Sequence, residues 1–258
     1  GAYPAFFLSS FRPVAVLSGK LRSGTRSGAL RTILVVFQLT VSITLIVATM
    51  AIFRQIRFML DKDLGFKKEQ VMVIEQVHAL QDKINVFKKE IENIPGVIAC
   101  SHSTAVPGHM NNVNGYLIEG RPAENTVLLT TTWTDYDQLK TYGIELVEGR
   151  FLSENFVSDS NACVINETAV KNFQLEDPLT TRFLQPGVLG EGMVYKNVVG
   201  VVKDFHFTSL HEIINPYMFQ NAGDQQNWGY FSIKMRPDNL KQTTAAVEKI
   251  WRDFTNDY

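Results

Sequence analysis

Two histidines and two carboxylates lie close together in one short segment of the sequence: Asp204 and His206, then His211 and Glu212. Side chains two residues apart in an extended chain point to the same side, and carboxylate and imidazole groups both bind zinc. The spacing nevertheless differs from the helical His-Glu-x-x-His pattern of zinc hydrolases. The other three histidines also lie in unrelated segments. We therefore favour the alternative, in which these groups cap and hydrogen-bond a turn.

Nucleophilic and nucleotide-binding chemistry has even weaker support in the sequence. Ser101 and Ser103 flank His102, but no orienting acid and no oxyanion loop accompany them. Residues 187–192 are rich in glycine, but they lack the strand–turn–helix context of a phosphate loop, and no Gly-x-x-x-x-Gly-Lys-Ser/Thr motif occurs. We predict that the chain is not an enzyme and does not hydrolyse ATP, and that it has no catalytic residue, no metal site and no cofactor.

Aromatic residues are concentrated around His206 and shortly after it, at Phe205, Phe207, Tyr217 and Phe219. Large apolar rings of this kind usually belong to a hydrophobic core. A lining for a hydrophobic cargo is the alternative that the sequence leaves open.

An uncharged stretch at residues 32–53 must organise the rest of the chain, with Arg31 directly before it and Arg54 directly after it. As a helix it would be roughly 33 Å long, close to the thickness of the hydrocarbon layer of a bilayer. Its apolar residues fall on every face, which favours a transmembrane helix over the alternative of a buried helix in a soluble core. Gln38 would be costly against lipid, so we expect it to face another helix, within the same molecule or in a second subunit.

The charges are distributed unevenly about this stretch, although the net charge is only −1. Residues 1–53 contain five cations and no acidic residue, so all 26 acidic residues lie beyond the stretch. The positive-inside rule then places the N-terminal side in the cytoplasm and the large C-terminal part outside it. Attraction to anionic lipid headgroups accounts for the cations, so we predict no nucleic-acid partner.

The two cysteines, Cys100 and Cys163, permit one disulfide in an oxidising compartment. The sequence does not show that the two residues approach each other. We predict two buried free thiols, and a disulfide is the alternative.

The remaining pattern predicts an α+β fold. A stalk helix should continue through residues 54–64 and end at Gly65, which suits the position after a helix. A strand at 71–75, a helix at 82–94 and a strand at 97–102 form a βαβ unit, which implies a parallel pair with a right-handed crossover. Further strands are predicted at residues 115–119, 127–134, 163–166, 197–202 and 230–235, with helices at 167–173, capped by Asn166, and at 238–254. Residues 139–146 are ambiguous, and a strand is expected to follow Tyr258.

These elements suggest three parts. Residues 1–29 would hold the end of a preceding membrane helix and a cytoplasmic linker, and residues 30–64 the transmembrane helix and its stalk. Residues 65–258 would form the extracytoplasmic domain. Within it, residues 65–102 and 228–258 would make a split α/β layer, and residues 103–227 a β-rich subdomain inserted into that layer.

Several short motifs, in their order and spacing, are similar to one family of membrane proteins. In the first part of the chain these are Tyr3-Pro-Ala, Ser10-Phe-Arg-Pro13, Leu30-Arg-Thr-Ile-Leu-Val-Val-Phe-Gln38 with Ser42, and Asp63-Leu-Gly-Phe66. In the second part they are Asn166-Glu-Thr-Ala169, Asp177-Pro178, and Gly200-Val-Val-Lys-Asp-Phe-His-Phe-Thr-Ser-Leu-His211 with Pro216. Together they resemble FtsX/MacB-type ABC transporter permeases, particularly the second half of long permeases with two such halves.

The resemblance implies a protein of the bacterial inner membrane whose residues after about Arg54 form a periplasmic core domain with a porter-like α/β layer. It further implies a separate cytoplasmic ATPase, other transmembrane helices of the same permease, and a dimer. The periplasmic domain would turn ATP-driven dimerisation into work on a substrate such as a lipoprotein, a peptide or a drug. We assign coupling or structural roles to two groups of residues: Gln38, Leu64, Gly65 and Phe66, and Asp204, Phe205 and His206.

Two other classes of function remain possible from the sequence. A membrane-anchored receptor would use the extracytoplasmic domain to bind a small ligand. A membrane-anchored hydrolase or metalloenzyme would need a site, for which Asp204 and His206 are the best candidates.

Overall fold

The computed structural model describes residues 26–61, 65–66, 69–75, 77–109, 112–122, 124–186, 192–208, 212–223 and 229–255. The chain divides into two compact units, with the boundary between residues 62 and 63. Leu64, His211 and the glycine-rich residues 187–191 lie outside the described residues, and so do residues 62–63.

The first unit is described as one long helix, α1 (Arg26–Asp61). Within it, Ala29–Phe58 is long and apolar enough to cross a membrane, and none of its described side chains is buried. This exposure is contrary to the alternative of a buried core helix. The hydroxyls of Thr40 and Thr44 donate to the carbonyls of Val36 and Thr40, each 2.8 Å away, so these two polar groups are satisfied within the helix.

The second unit combines ten strands and four helices in its described residues, which confirms the predicted α+β class. The helices are α2 (Ile84–Glu92), α3 (Gln138–Tyr142), α4 (Glu167–Asn172) and α5 (Leu240–Thr255). The strands are β1 (Val71–Ile74), β2 (Val97–Ser103), β3 (Asn112–Ile118), β4 (Val127–Thr134), β5 (Leu146–Gly149), β6 (Ala162–Asn166), β7 (Arg182–Pro186), β8 (Met193–Val202), β9 (Tyr217–Asn221) and β10 (Tyr230–Met235).

The α/β layer consists of β1, β10 and β2 in that order, with α2 and α5 packed against it. Both β1 and β2 pair with β10 in antiparallel fashion, from Val71 opposite Lys234 to Tyr230 opposite Ser103. The split layer expected from the sequence is present, but β1 and β2 do not pair directly with each other as the first βαβ unit implied. The two strands do run in the same direction, but a strand more than 120 residues later in the sequence occupies the place between them.

Six of the described strands that lie between β2 and β10 in the sequence close into a barrel. The ring runs β4, β3, β7, β8, β6 and β9, and β9 returns to pair in parallel with β4, where Thr130 lies opposite Tyr217. Its interior holds large buried side chains, among them Tyr116, Leu129, Phe183 and Met218. The sequence suggested a β-rich insertion in this part of the chain, but it did not predict that the strands close into a barrel.

A third group of buried residues lies between the layer and the barrel. It includes Phe205, Phe207 and Phe219 from the barrel side, and half-buried Val71 and Tyr230 from the layer. The layer and the barrel are thus joined by a common apolar core.

Both cysteines are buried and unbonded, which confirms the prediction of free thiols. Cys100 packs in the core of the layer and Cys163 in the barrel. Burial raises the pKa of both thiols, to about 12 for Cys163, so neither is a reactive thiolate near neutral pH.

Candidate functional site

The residues that follow the long helix in sequence, Gly65 and Phe66, are packed directly against the segment that contains Asp204 and Phe205. A Cβ atom built on Gly65 would lie 2.5 Å from the carbonyl oxygen of Asp204 and 2.8 Å from the Cα of Phe205. Gly65 also has a φ of +75°, a backbone conformation that residues other than glycine rarely adopt. The structure therefore brings four of the predicted coupling residues together, and only glycine fits at the first of them.

Phe66 connects this contact to the rest of the second unit. Its ring meets Tyr142 edge to face, with the ring centres 6.0 Å apart, and it packs against the core shared by layer and barrel. The Tyr142 hydroxyl forms a 2.8 Å hydrogen bond with Ser232 on β10. Burial raises the pKa of Tyr142 to about 12, against the opposing effect of that hydrogen bond, so the phenol stays neutral.

Asp204 caps the first turn of α4. Its carboxylate accepts hydrogen bonds from the backbone N–H of Thr168 at 2.9 Å, from the Thr168 hydroxyl at 2.8 Å and from the Asn166 amide at 2.9 Å. The backbone N–H of Asp204 donates in turn to Glu167, 3.1 Å away. These contacts agree with the interpretation that Asp204 caps and hydrogen-bonds a turn and is not a metal ligand. Within the part of the chain that the structure describes, no cluster of three or more metal-ligating side chains occurs.

Asn166 is the buried centre of the same network. Its Oδ1 accepts from the backbone N–H groups of Ala169 at 3.1 Å and Tyr217 at 2.9 Å. Its Nδ2 donates to Asp204 and to the carbonyl of Asn215, 3.1 Å away. The sequence predicted only the cap of α4, whereas one amide joins the end of β6, the start of β9 and the segment after β8.

The aromatic residues near Asp204 form a packed cluster. Phe205 stacks on Phe219 with ring centres 5.7 Å apart and meets Tyr217 at 5.1 Å, and Phe207 lies 5.0 Å from Tyr217. All four side chains are buried, and the Tyr217 hydroxyl hydrogen-bonds to Thr132. The rings fill space with one another, which confirms the interpretation as core rather than as a lining for cargo.

The other predicted residues add little to this group. Gln38 is exposed on α1, in the first unit, and His206 is half-buried beside Phe205. Ser101 and His102 are buried on β2, where the Ser101 hydroxyl donates to Gln138 at 2.9 Å. Ser101 is therefore not an exposed nucleophile.

An ion-paired group ties α2 to the turn after β4. The Lys88 ammonium lies 2.8 Å from Asp135 and 2.5 Å from Asp137, and Asp135 also accepts the backbone N–H of His102. Burial acts to lower the pKa of Lys88, but the two carboxylates outweigh it and raise that pKa, so the lysine stays charged. This group is a second connection between the α/β layer and the barrel.

Comparison with known proteins gives a consistent result. A model of the family described as "MacB-like periplasmic core domain" matches residues 32–250. Among curated proteins none matches the chain. Among solved structures, the periplasmic region of MacB from Actinobacillus actinomycetemcomitans superposes with a TM-score of 0.53 at 13% identity, covering 77% of this chain and 89% of that one. At this identity the likeness concerns the fold.

Two further solved structures match with lower scores. A domain of a putative permease from Porphyromonas gingivalis superposes with a TM-score of 0.42 at 20% identity. The match covers 61% of this chain and 72% of that one. The extracellular domain of the ABC-type transporter YknZ from Gram-positive bacteria superposes with a TM-score of 0.46 at 16% identity. The match covers 65% of this chain and 81% of that one.

Proposed function

Because the chain belongs to the family of the MacB-like periplasmic core domain, we propose that it transmits mechanical work within an ABC transporter permease. A separate cytoplasmic ATPase supplies the energy, and other helices of the same permease, arranged as a dimer, carry the motion across the inner membrane. The second unit then acts in the periplasm on a substrate such as a lipoprotein, a peptide or a drug. The chain itself carries out no reaction in this proposal.

The orientation follows from the charges and from α1. The cations that precede the uncharged stretch 32–53 favour the cytoplasmic side, and the acidic residues all follow that stretch. Gln38 lies on this helix, and its amide favours contact with another helix of the permease over contact with lipid.

The close contact of Gly65 with Asp204 and Phe205 is the observation that carries the coupling role. Only three residues, 62–64, separate α1 from Gly65 in the sequence. A displacement of those residues acts directly on Gly65, which lies so close to the next segment that an added Cβ would be 2.5 Å from the Asp204 carbonyl oxygen. Asp204 and Phe205 in turn belong to the cap of α4 and to the core shared by layer and barrel. Motion that arrives at Gly65 therefore moves the second unit as a whole.

Replacing Gly65 with alanine in the intact permease tests this role. Gly65→Ala forces the junction apart, so we expect less substrate moved per ATP hydrolysed while hydrolysis itself continues. Gly120→Ala is a matched control, because Gly120 has a similar φ of +81° but no atom within 4 Å of the added Cβ. Equal transport per ATP in the two variants would refute the coupling role of the junction.

A further inference from the structure

The residues in the middle of α1 are sorted by size and polarity around the helix axis. At about 100° per residue, the residues of one polar stripe lie within about 40° of one another; they are Gln38, Ser42 and Thr49. A second stripe, the small stripe, consists of Thr40, Thr44, Ala48 and Ala51. A third, the aliphatic stripe, consists of Leu39, Ile43, Ile46 and Met50.

The aliphatic stripe contains only large apolar side chains. It covers an arc of about 60°, and no other residue of the segment 38–51 falls within that arc. All seven polar or small residues of this segment lie outside it. A helix surrounded by lipid on every side gives no reason for such sorting, because lipid contacts all its faces alike. The sorting indicates that lipid contacts one face and protein the others.

The hydroxyls of the small stripe are satisfied within the helix itself. Thr40 and Thr44 donate to the carbonyls one turn earlier, as described above. What this stripe offers outward is therefore methyl groups and short side chains. Such a surface lets the backbone of a neighbouring helix approach closely.

The polar stripe is not satisfied in this way. Within the described part of α1, neither the Gln38 amide nor the Ser42 hydroxyl has a hydrogen-bond partner. Ser42 lies about 15 Å along the helix from Thr32, in the middle of the hydrocarbon layer, where no water replaces a missing partner. An amide at this depth brings two donors and an acceptor. The group that meets them must be a polar side chain of another helix.

We propose that α1 packs on two faces against other transmembrane helices of the permease, and that only the aliphatic stripe faces lipid. The neighbour at the polar stripe carries hydrogen-bonding side chains at the depth of Gln38 and Ser42. The neighbour at the small stripe approaches closely through its backbone. This inference rests on the proposed membrane crossing of α1, and adds to it the rotation of the helix about its axis.

Photo-cross-linking in the intact permease tests the proposal. A benzophenone amino acid replaces Ser42, Ile43 or Thr44, one at a time, and mass spectrometry identifies the adducts formed in native membranes. The three consecutive positions match in depth to about 3 Å and differ in the face that they present. We expect protein adducts from positions 42 and 44 and mainly lipid adducts from position 43, with protein-to-lipid ratios that differ about tenfold.

Oxygen accessibility keeps the proposal testable if the benzophenone disturbs assembly at one position. A nitroxide is attached to single cysteines at positions 38–51 of the permease in lipid vesicles, and the two native cysteines are buried. We expect accessibility to oxygen to be highest at Leu39, Ile43, Ile46 and Met50 and low at the members of the two other stripes.

Lipid adducts from position 42 or 44 would overturn the proposal for the corresponding face. High oxygen accessibility at all positions would overturn it as well, but it would leave the membrane crossing intact. Low oxygen accessibility and no lipid adduct at any position would contradict the crossing itself, and with it the proposed function.

Discussion

At the scale of single residues, Asn166 shows how much one side chain can hold together. Its amide accepts from Ala169 and Tyr217 and donates to Asp204 and Asn215, which uses its hydrogen-bonding capacity in full. A buried group with all its partners present stabilises the fold, whereas the loss of one partner leaves another group unsatisfied.

The substitution Asn166→Asp separates the hydrogen bonds that the amide accepts from those that it donates. Aspartate is as good a helix cap as asparagine, so the bonds from Ala169 and Tyr217 should survive. The donors to Asp204 and Asn215 are lost, and two carboxylates then face each other. We expect the free energy of unfolding of the second unit to fall by about 2–3 kcal/mol at neutral pH.

The loss should become smaller at mildly acidic pH, because the new carboxylate at position 166 is buried beside another carboxylate, takes up a proton readily and can then donate again. Denaturant titrations at both pH values measure the effect. Asn155→Asp, at an exposed position, is the control and should change stability little. A pH-independent loss would show that the contact with Asp204 does not matter.

The cap of α4 could be predicted from the sequence, and the network could not. Asn166 stands directly before a helical segment, so its local role is visible in residues 166–169. Its bonds to Asn215 and Tyr217 span 49 and 51 residues, and they depend on a barrel whose closure has no local signal. The partners of Gly65 are hidden in the same way, because nothing near Gly65 in the sequence indicates Asp204.

At the scale of elements, burial explains which strands the sequence revealed. Strands β4 and β10 were predicted with their observed bounds. Strand β9 was missed because its residues, apart from half-buried Asn221, are buried on both faces and show no alternation. Strand β5 was missed because all four of its residues are exposed. The barrel closes through β9, so an element with no periodic signal decides the architecture.

Phe205 is the side chain through which the junction meets this architecture. Phe205→Ala removes a ring that stacks on Phe219 and contacts Tyr217, and it leaves a cavity beside Gly65. We expect a loss of about 3–5 kcal/mol in the free energy of unfolding. Ile213→Ala, at a residue that is 86% exposed, should cost little and serves as the control. Similar small losses in both variants would mean that Phe205 is not part of the core.

At the scale of the whole molecule, the proposed function requires the folded unit and its energy source to lie on opposite sides of a membrane. A helix of 36 residues with no buried described side chain is unstable in water but suited to lipid. The family match covers both this helix and the folded unit, since it begins at residue 32. The coupling role of the junction has meaning only if α1 crosses the bilayer.

Labelling with a membrane-impermeant maleimide on intact spheroplasts tests this claim most directly. Cys100 and Cys163 are buried, so the native background is low. We predict that a cysteine at Val157, a residue 94% exposed in the second unit, is labelled in intact spheroplasts. A cysteine at Ser23, before the helix, should be labelled only after permeabilisation. The reverse pattern, or labelling of both sites only after permeabilisation, would contradict the account.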